Sequence, residues 1–512
     1  MNTAALKNRL SQSSPQVMTA ILLLQPLLDV FSYFMQQQGT TIISTALRTV
    51  LLFAVCAYGF VITEHRRAYL VLYSVLAGFW LLHTLNCLRL GYQDPVGDAA
   101  EYLKLIQFPL WTLVFLTICR QRPTLNLCAS GLLAANFAII LLVIGLSYAT
   151  GAPAYTYDIP ARGVKLGLLG WFGVPNAQSA VLAMIFCGLL AWAHEKGQLW
   201  LFSLANGAGC AVLYFSGTRL AYYAAVLASA GFVVLIFLAG GRRRWNCVPL
   251  VVGLVLLLAF RGVSPMIQRR ALPGDTYRIY QEQTDQVMGR DKDYTYTGGE
   301  IPKETREKIT QVYEQVYGGL NFAGAPMLGD LLDRFGTQRV MEYYDYTTAA
   351  STLCHVRTKK IAVMAMTWEE QDLLTKLVGV EYAAATLNGT NYDPENDFPG
   401  LFYFYGWLGT GIYVAFAGSF LVWVLAGCVR NLRRLPEYLT VSLGAWAMIY
   451  VLGLGAAQYS GQVMRKPSVT VYMSLAAAQL CCQAQGSGKL FARVQRRPGV
   501  KMKQLKKEAR HG

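Results

Sequence analysis

The sequence predicts an all-α polytopic membrane protein: about twelve transmembrane helices and one large polar region between the ninth and tenth. Three observations carry this. Hydrophobic residues make up 54% of the 512 and charged residues only 14%, and the mean hydropathy is +0.34, outside the usual range of a soluble domain. The apolar residues fall into segments long enough to cross a bilayer. Lys/Arg clusters recur in every second loop, at Lys7–Arg9, His65–Arg67, Arg120–Arg122, Lys196, Arg242–Arg244, Arg430–Arg434 and from Lys489 onward, which is the positive-inside pattern.

Each span follows from its apolar run. The predicted spans are 16–36, 42–63, 69–90, 100–119, 125–149, 166–193, 199–217, 220–240, 247–263, 400–429, 439–459 and 467–484. The first contains Asp29 and lacks a small-residue cleavage site, so it reads as an uncleaved span. Asp29 and Arg48 of the next span are expected to form an interior ion pair, and His83 to be hydrogen-bonded inside the bundle. The span from Gly400 carries Tyr405-Gly406-Trp407-Leu408-Gly409 and is expected to break or bend at its glycines. The segments divide the chain into 1–263, spans one to nine; 264–399, an extracytoplasmic cap; 400–484, spans ten to twelve; and 485–512, a basic cytoplasmic tail.

The cap should be mostly helical. Helices are expected from Pro302 to Tyr317, from Met327 to Tyr344 and from Thr367 to Leu377, with the Tyr-rich stretch Tyr277–Tyr296 as a loop. The formal charge of +16 comes largely from cytoplasmic loops and the tail, where Lys489–Arg510 holds nine Lys/Arg against one Glu. That placement suits anionic lipid headgroups or topogenesis and argues against nucleic acid. The eleven cysteines lie almost entirely in apolar spans, and only Cys354 falls in the cap, which excludes a disulfide framework or thiol metal site there.

Cations on the outer side, where topology does not demand them, are the candidate site residues. Arg162 and Lys165 precede Gly173-Val174-Pro175-Asn176; they fit an anionic headgroup, through the planar fork of Arg, or simple snorkelling to lipid phosphates. Arg219 ends the tight turn Ser216-Gly217-Thr218-Arg219, and Arg465 and Lys466 sit in the last outer turn. Five such cations could clamp a diphosphate. Asp393-Pro394-Glu395-Asn396-Asp397 precedes the span at Gly400; its acids either cap a helix start or supply a general base, Glu395 or Asp397, to take a hydroxyl proton. Walker, Rossmann and nucleophile-elbow motifs are absent, and His355 has no partner at zinc-ligand spacing.

The order of these features resembles the bacterial O-antigen ligase and polymerase superfamily, membrane glycosyltransferases of the GT-C class. The strings that carry the likeness are Pro26-Leu27-Leu28-Asp29, Arg162 ahead of Gly173-Val174-Pro175-Asn176, and Ser216-Gly217-Thr218-Arg219. They continue with Leu377-Val378-Gly379-Val380 before Glu395-Asn396-Asp397, Tyr405-Gly406-Trp407-Leu408-Gly409, and Gly461-Gln462-Val463 with Pro467-Ser468-Val469. The resemblance implies transfer of a glycan from a polyprenyl-diphosphate-linked donor to a glycan or glycolipid acceptor. This would occur on the outer face of the bacterial cytoplasmic membrane, with both termini inside, and without metal or cofactor. It carries diphosphate binding over to Arg162 and Arg219. Ligases of the family have a histidine near the end of the outer loop, whereas here none lies between His355 and His511; the likeness therefore leans to a polymerase-like branch. The competing reading is a transporter or flippase of a lipid-linked oligosaccharide. It would predict a pseudo-repeat of the two halves, which the sequence lacks, and leaves the cap unexplained.

Overall fold

The computed structural model describes residues 3–159, 163–239, 241–271, 274–319, 327–461 and 463–484. The chain begins with a short helix, α1 (Thr3–Gln12), and then α2 (Ser14–Gln37), α3 (Ile42–Ile62), α4 (Arg66–Leu90), α5 (Pro95–Gln121) and α6 (Thr124–Ala149). A hairpin follows, β1 (Ala154–Ile159) with β2 (Val164–Gly170), and then α7 (Pro175–Lys196), α8 (Leu199–Phe215), α9 (Arg219–Ala239) and α10 (Cys247–Ala259). After the cap come α19 (Asp397–Arg430), α20 (Leu435–Tyr438), α21 (Val441–Tyr459) and α22 (Pro467–Cys482). The architecture is that of a mostly helical, polytopic membrane protein. Among the described residues, nine helices are long and apolar enough to cross a membrane. α8, α10 and α22 coincide with predicted spans but hold only 17, 13 and 16 residues.

Local chemistry sets the helix ends. Asp94 caps α5 by accepting from the Gly97 N–H at 2.9 Å, with Pro95 behind it, and Pro175 and Pro467 open α7 and α22. The predicted span 166–193 starts too early, because residues 164–170 pair with 154–159 as an antiparallel hairpin and the helix waits for Pro175. That hairpin is the one departure of note from the all-α expectation. Inside the bundle α7 is almost wholly buried. α22 is buried along nearly its full length, and its Ser474 and Ala476–Ala478 let it approach α5 closely enough for Ser474 Oγ to reach Phe108 O at 3.1 Å. Arg48 binds Asp29 at 2.8 Å, the ion pair expected between α2 and α3.

The cap has its own apolar core. It comprises α11 (Pro265–Ala271), α12 (Gly274–Met288), α13 (Lys303–Gln311), α14 (Gly329–Phe335), α15 (Thr337–Tyr343), α16 (Ala350–Leu353), α17 (Val356–Glu369), α18 (Leu373–Val378) and a two-residue ladder, β3 (Thr386–Leu387) with β4 (Thr390–Asn391). Tyr280, Ile309, Tyr313, Tyr317, Leu331 and Val363 are among its buried centre. The stretch expected as a loop is largely α12: Tyr280 and Thr284 face Tyr317, and a mix of aromatic and hydroxyl side chains concealed the helical period. The expected helix from Thr367 is also corrected. α17 ends at Glu369, and Asp372 opens a new helix by accepting from the Thr375 N–H at 2.8 Å.

Two of the contacts that fasten the cap to the bundle are buried. His83 of α4 is fully buried, with Nδ1 2.8 Å from Val378 O and Nε2 2.9 Å from Asp98 Oδ2 of α5. Asp98 also accepts from Tyr92 Oη at 2.6 Å and from the Tyr382 N–H at 2.9 Å. Beside this network the backbones of α18 and α19 interlock. α19 breaks at Gly406, where φ is +61°, and a Cβ there would lie 2.5 Å from Leu377 O; one on Gly379 would lie 2.1 Å from Phe404 O. Neither site has room for a side chain, and both use backbone conformations that L-residues resist. Gly406→Ala should therefore lower thermal stability by more than about 1–3 kcal/mol, the cost of such strain alone. A melting temperature equal to the parent's in detergent would disprove the interlock.

Candidate functional site

Three chain segments meet where the cap joins the bundle. The turn Ser216–Thr218 is shaped by the hairpin, since Thr156 Oγ1 donates to Ser216 O at 2.6 Å. Thr218 Oγ1 accepts from the Ala221 N–H at 3.1 Å and so starts α9, while donating to Ser179 Oγ at 2.7 Å. This fixes Arg219 as the first residue of α9, exposed, with no ion-pair or hydrogen-bond partner among the described residues. His355 caps α17, its Nδ1 accepting from the Thr358 N–H at 3.3 Å. With that nitrogen occupied, Nε2 carries the proton of the neutral ring and is left as a donor. Partial burial, then the charges of Arg357 and Arg219, hold His355 below the ordinary imidazole range, while Glu395 acts in the opposite sense. The charges of Arg219, Arg357 and Glu395 all act on the ring.

Glu395 bridges Arg357 Nε at 2.8 Å and Lys360 Nζ at 3.4 Å, with 29% of its side chain exposed. Burial raises its pKa, but Lys360 and Arg357 outweigh that and hold it below the usual carboxylate range. Its pairing thus contributes stability above the ordinary carboxylate range, lost as pH falls through the lowered value. Arg357 also donates to Tyr459 O at 3.0 Å and Ser460 O at 3.2 Å, tying α17 to the turn between α21 and α22. Gly461 completes that junction: with φ at +80°, it lies where a Cβ would be 1.8 Å from Glu395 O.

The remaining predicted residues go elsewhere. Asp397 is fully buried and accepts from the N–H groups of Val463, Met464 and Arg465 at 2.7, 3.0 and 3.3 Å. Both its oxygens are engaged and shielded, a placement that keeps it from a substrate hydroxyl. Arg465, 6% exposed, reaches Asp393 at 2.8 Å, Asp397 at 3.4 Å and Pro394 O, so its fork is committed within the loop rather than open to a diphosphate. Lys466 turns inward; burial pushes its pKa down, opposed by Asp29 and reinforced by Lys104 and Arg48. Lys165 is exposed on β2, 5.4 Å from the Tyr155 ring centre. Arg162 and the tail 485–512 lie outside the described residues. Among the described residues, Arg465 and Lys466 are thus turned away from the open position of Arg219.

His355, Arg357 and Lys360 escaped the sequence-based site because forty residues separate His355 from Glu395 along the chain. The available signal was four cationic or imidazole side chains within six residues, His355, Arg357, Lys359 and Lys360, opening a helix. The chain matches the family described as O-antigen ligase like membrane protein over residues 11–485. It belongs to that family. Within the family reading, surface polysaccharide assembly is the role, and lipid-linked glycans and membrane lipids are the partners in kind. No curated protein sequence is significantly similar to the chain.

The buried lock around Arg465 yields a stability prediction. Arg465→Ala leaves Asp397 and Asp393 without their cation, and removing one partner of a buried pair costs roughly 3–5 kcal/mol. Folded, monodisperse protein should fall sharply on extraction in detergent. Wild-type heat resistance in that variant would refute the lock.

Proposed function

We propose that this O-antigen ligase-like protein transfers a glycan from a polyprenyl-diphosphate-linked donor to an acceptor hydroxyl at the cluster of Arg219, His355, Lys360 and Glu395. The supporting observation is the convergence of an arginine with no partner among the described residues, a neutral histidine and a cation-paired carboxylate at the outer rim of α9. In the bacterial cytoplasmic membrane, with both termini inside, this rim faces the compartment where lipid-linked glycans are assembled.

The acceptor oxygen attacks the anomeric carbon, and the bond from that carbon to the diphosphate oxygen breaks with its electron pair leaving on the diphosphate. Arg219, with Arg162 carried over by resemblance, stabilises the departing charge through the planar guanidinium fork. The Nε2–H of neutral His355 adds a donor to the same anion. The acceptor's proton passes to Glu395. In the resting protein that carboxylate is a weak base because two cations hold it. A bound diphosphate competes for Lys360, and each cation drawn away raises the basicity of Glu395 when the acceptor must be deprotonated. Diphosphate is a good leaving group, so neither metal nor cofactor is required.

The sequence leans to a polymerase-like branch for want of a histidine late in the loop; the influence of Glu395 on His355 supports a ligase-like arrangement as well. The acceptor is accordingly a growing glycan or a glycolipid.

Purified protein with donor and acceptor provides the test. Glu395→Gln should lower turnover by about 10²–10⁴ with donor binding retained. Arg219→Ala should abolish transfer, and Arg219→Lys should rescue poorly because a point charge does not replace the fork. Activity should persist in EDTA. Unchanged turnover in both Glu395→Gln and Arg219→Ala, or donor translocation without glycan transfer, would overturn the reading in favour of a flippase.

A further inference from the structure

The opposite end of the bundle carries a second polar recess. α4 runs from Arg66 to Leu90, and Asn86 near its far end bonds Thr375 of the cap at 3.2 Å. At a rise of 1.5 Å per residue, Arg66 lies about 30 Å along the helix from that contact. There the ends of α3 and α5, the start of α4 and the short α1 line an open recess of about 590 Å³. It adjoins a second recess, with which it shares Lys7, Thr63, Glu64, His65 and Arg120.

Its lining is divided by chemistry. The mouth holds Lys7, Arg120 and Arg122, with Arg66 and Arg67 at the adjoining recess, against the single acid Glu64. Ile62, Leu113 and Leu116 give the lining an apolar part, beside the hydroxyl pair Tyr69 Oη and Thr117 Oγ1 at 2.9 Å. α1 is held in place as a wall: Arg122 Nε donates to Ser11 O at 3.3 Å, Ser11 Oγ to Gln121 Oε1 at 3.2 Å, and Gln121 Nε2 to Ile62 O at 2.6 Å. Alongside, α4 turns an apolar flank outward, with Leu70 and Val71 53% and 64% exposed.

We propose that this recess is a binding site for the phosphate headgroup of an anionic membrane lipid. A topogenic excess of Lys/Arg accounts for cations in a loop, but not for a recess that gathers them around a partly apolar lining. A soluble anion would use the cationic mouth and leave the apolar part of the lining wet. A phospholipid uses both: its phosphate meets Lys7, Arg120 and Arg122, its glycerol reaches the Tyr69–Thr117 hydroxyls, and its chains continue down the exposed flank of α4. The site is independent of the outer cluster and of the reaction proposed there.

Thermal unfolding of the delipidated full chain in detergent tests the assignment. Mixed micelles of phosphatidylglycerol should raise the melting temperature at far lower lipid fraction than phosphatidylcholine. Lys7→Ala/Arg120→Ala should weaken the phosphatidylglycerol response by roughly tenfold to thirtyfold, since each juxtamembrane cation contributes measurably to anionic-lipid binding. Arg433→Ala/Arg434→Ala removes the same charge from exposed residues at the same end of the bundle and should change little. Should the first double variant fail to fold, Lys7→Glu on α1 carries the same expectation. Equal responses to the two lipids, equal loss in the control pair, or a full shift from inorganic phosphate alone would overturn the lipid site.

Discussion

The buried carboxylate of Asp397 governs the geometry where the cap meets the bundle. It stands at the first position of α19, where a helix favours negative charge, yet its oxygens point away to three successive backbone N–H groups of residues 463–465. A carboxylate removed from water needs this many donors to offset its lost hydration. Meeting that need fixes the turn between α21 and α22 against the end of the cap. Arg465 then satisfies both Asp393 and Asp397, and Gly461 is pressed against Glu395 O. The accessible acid, Glu395, is held in place because its neighbour two residues on is not accessible.

This division separates charges that build the site from charges that remain open to a ligand. Arg465 and Asp397 are buried and mutually satisfied, so their contribution lies in uniqueness of structure. Arg219 is exposed and has no partner among the described residues, and Glu395 is paired but partly open. An exposed pair in high dielectric exchanges partners at small cost. The same residue types, a few positions apart, thus serve opposite purposes according to the dielectric around them.

Burial is also what decided how much the sequence could disclose. Helix positions were legible because apolar runs of membrane length leave few alternatives, and the Asp29–Arg48 pair followed from the cost of isolated charge in such helices. The break at Gly406 was legible as an expected bend, but its cause was not. That cause is Gly379, 27 residues earlier, pressing on the same backbone. The hairpin at 154–170 was missed because its apolar end, Leu166 to Leu169, reads as the beginning of the following span. For the site, residue type and side of the membrane pointed to Arg219 and Glu395. Which of five cations remain free is set by contacts between segments distant in sequence, and no local pattern encodes it.

The cap gains a further meaning from these contacts. α17 brings His355, Arg357 and Lys360 to the rim, and α18 is anchored below through Val378 O on His83 and Gly379 on Gly406. Arg357 connects the two regions, bonding Glu395 and the carbonyls of Tyr459 and Ser460 together. Any movement of the cap relative to α19 would therefore shift His355 and Lys360 with respect to Arg219, which rides on a different helix. The cluster's geometry follows the docking of the cap, and a rigid junction built from interlocked backbone and buried hydrogen bonds keeps its members within mutual reach.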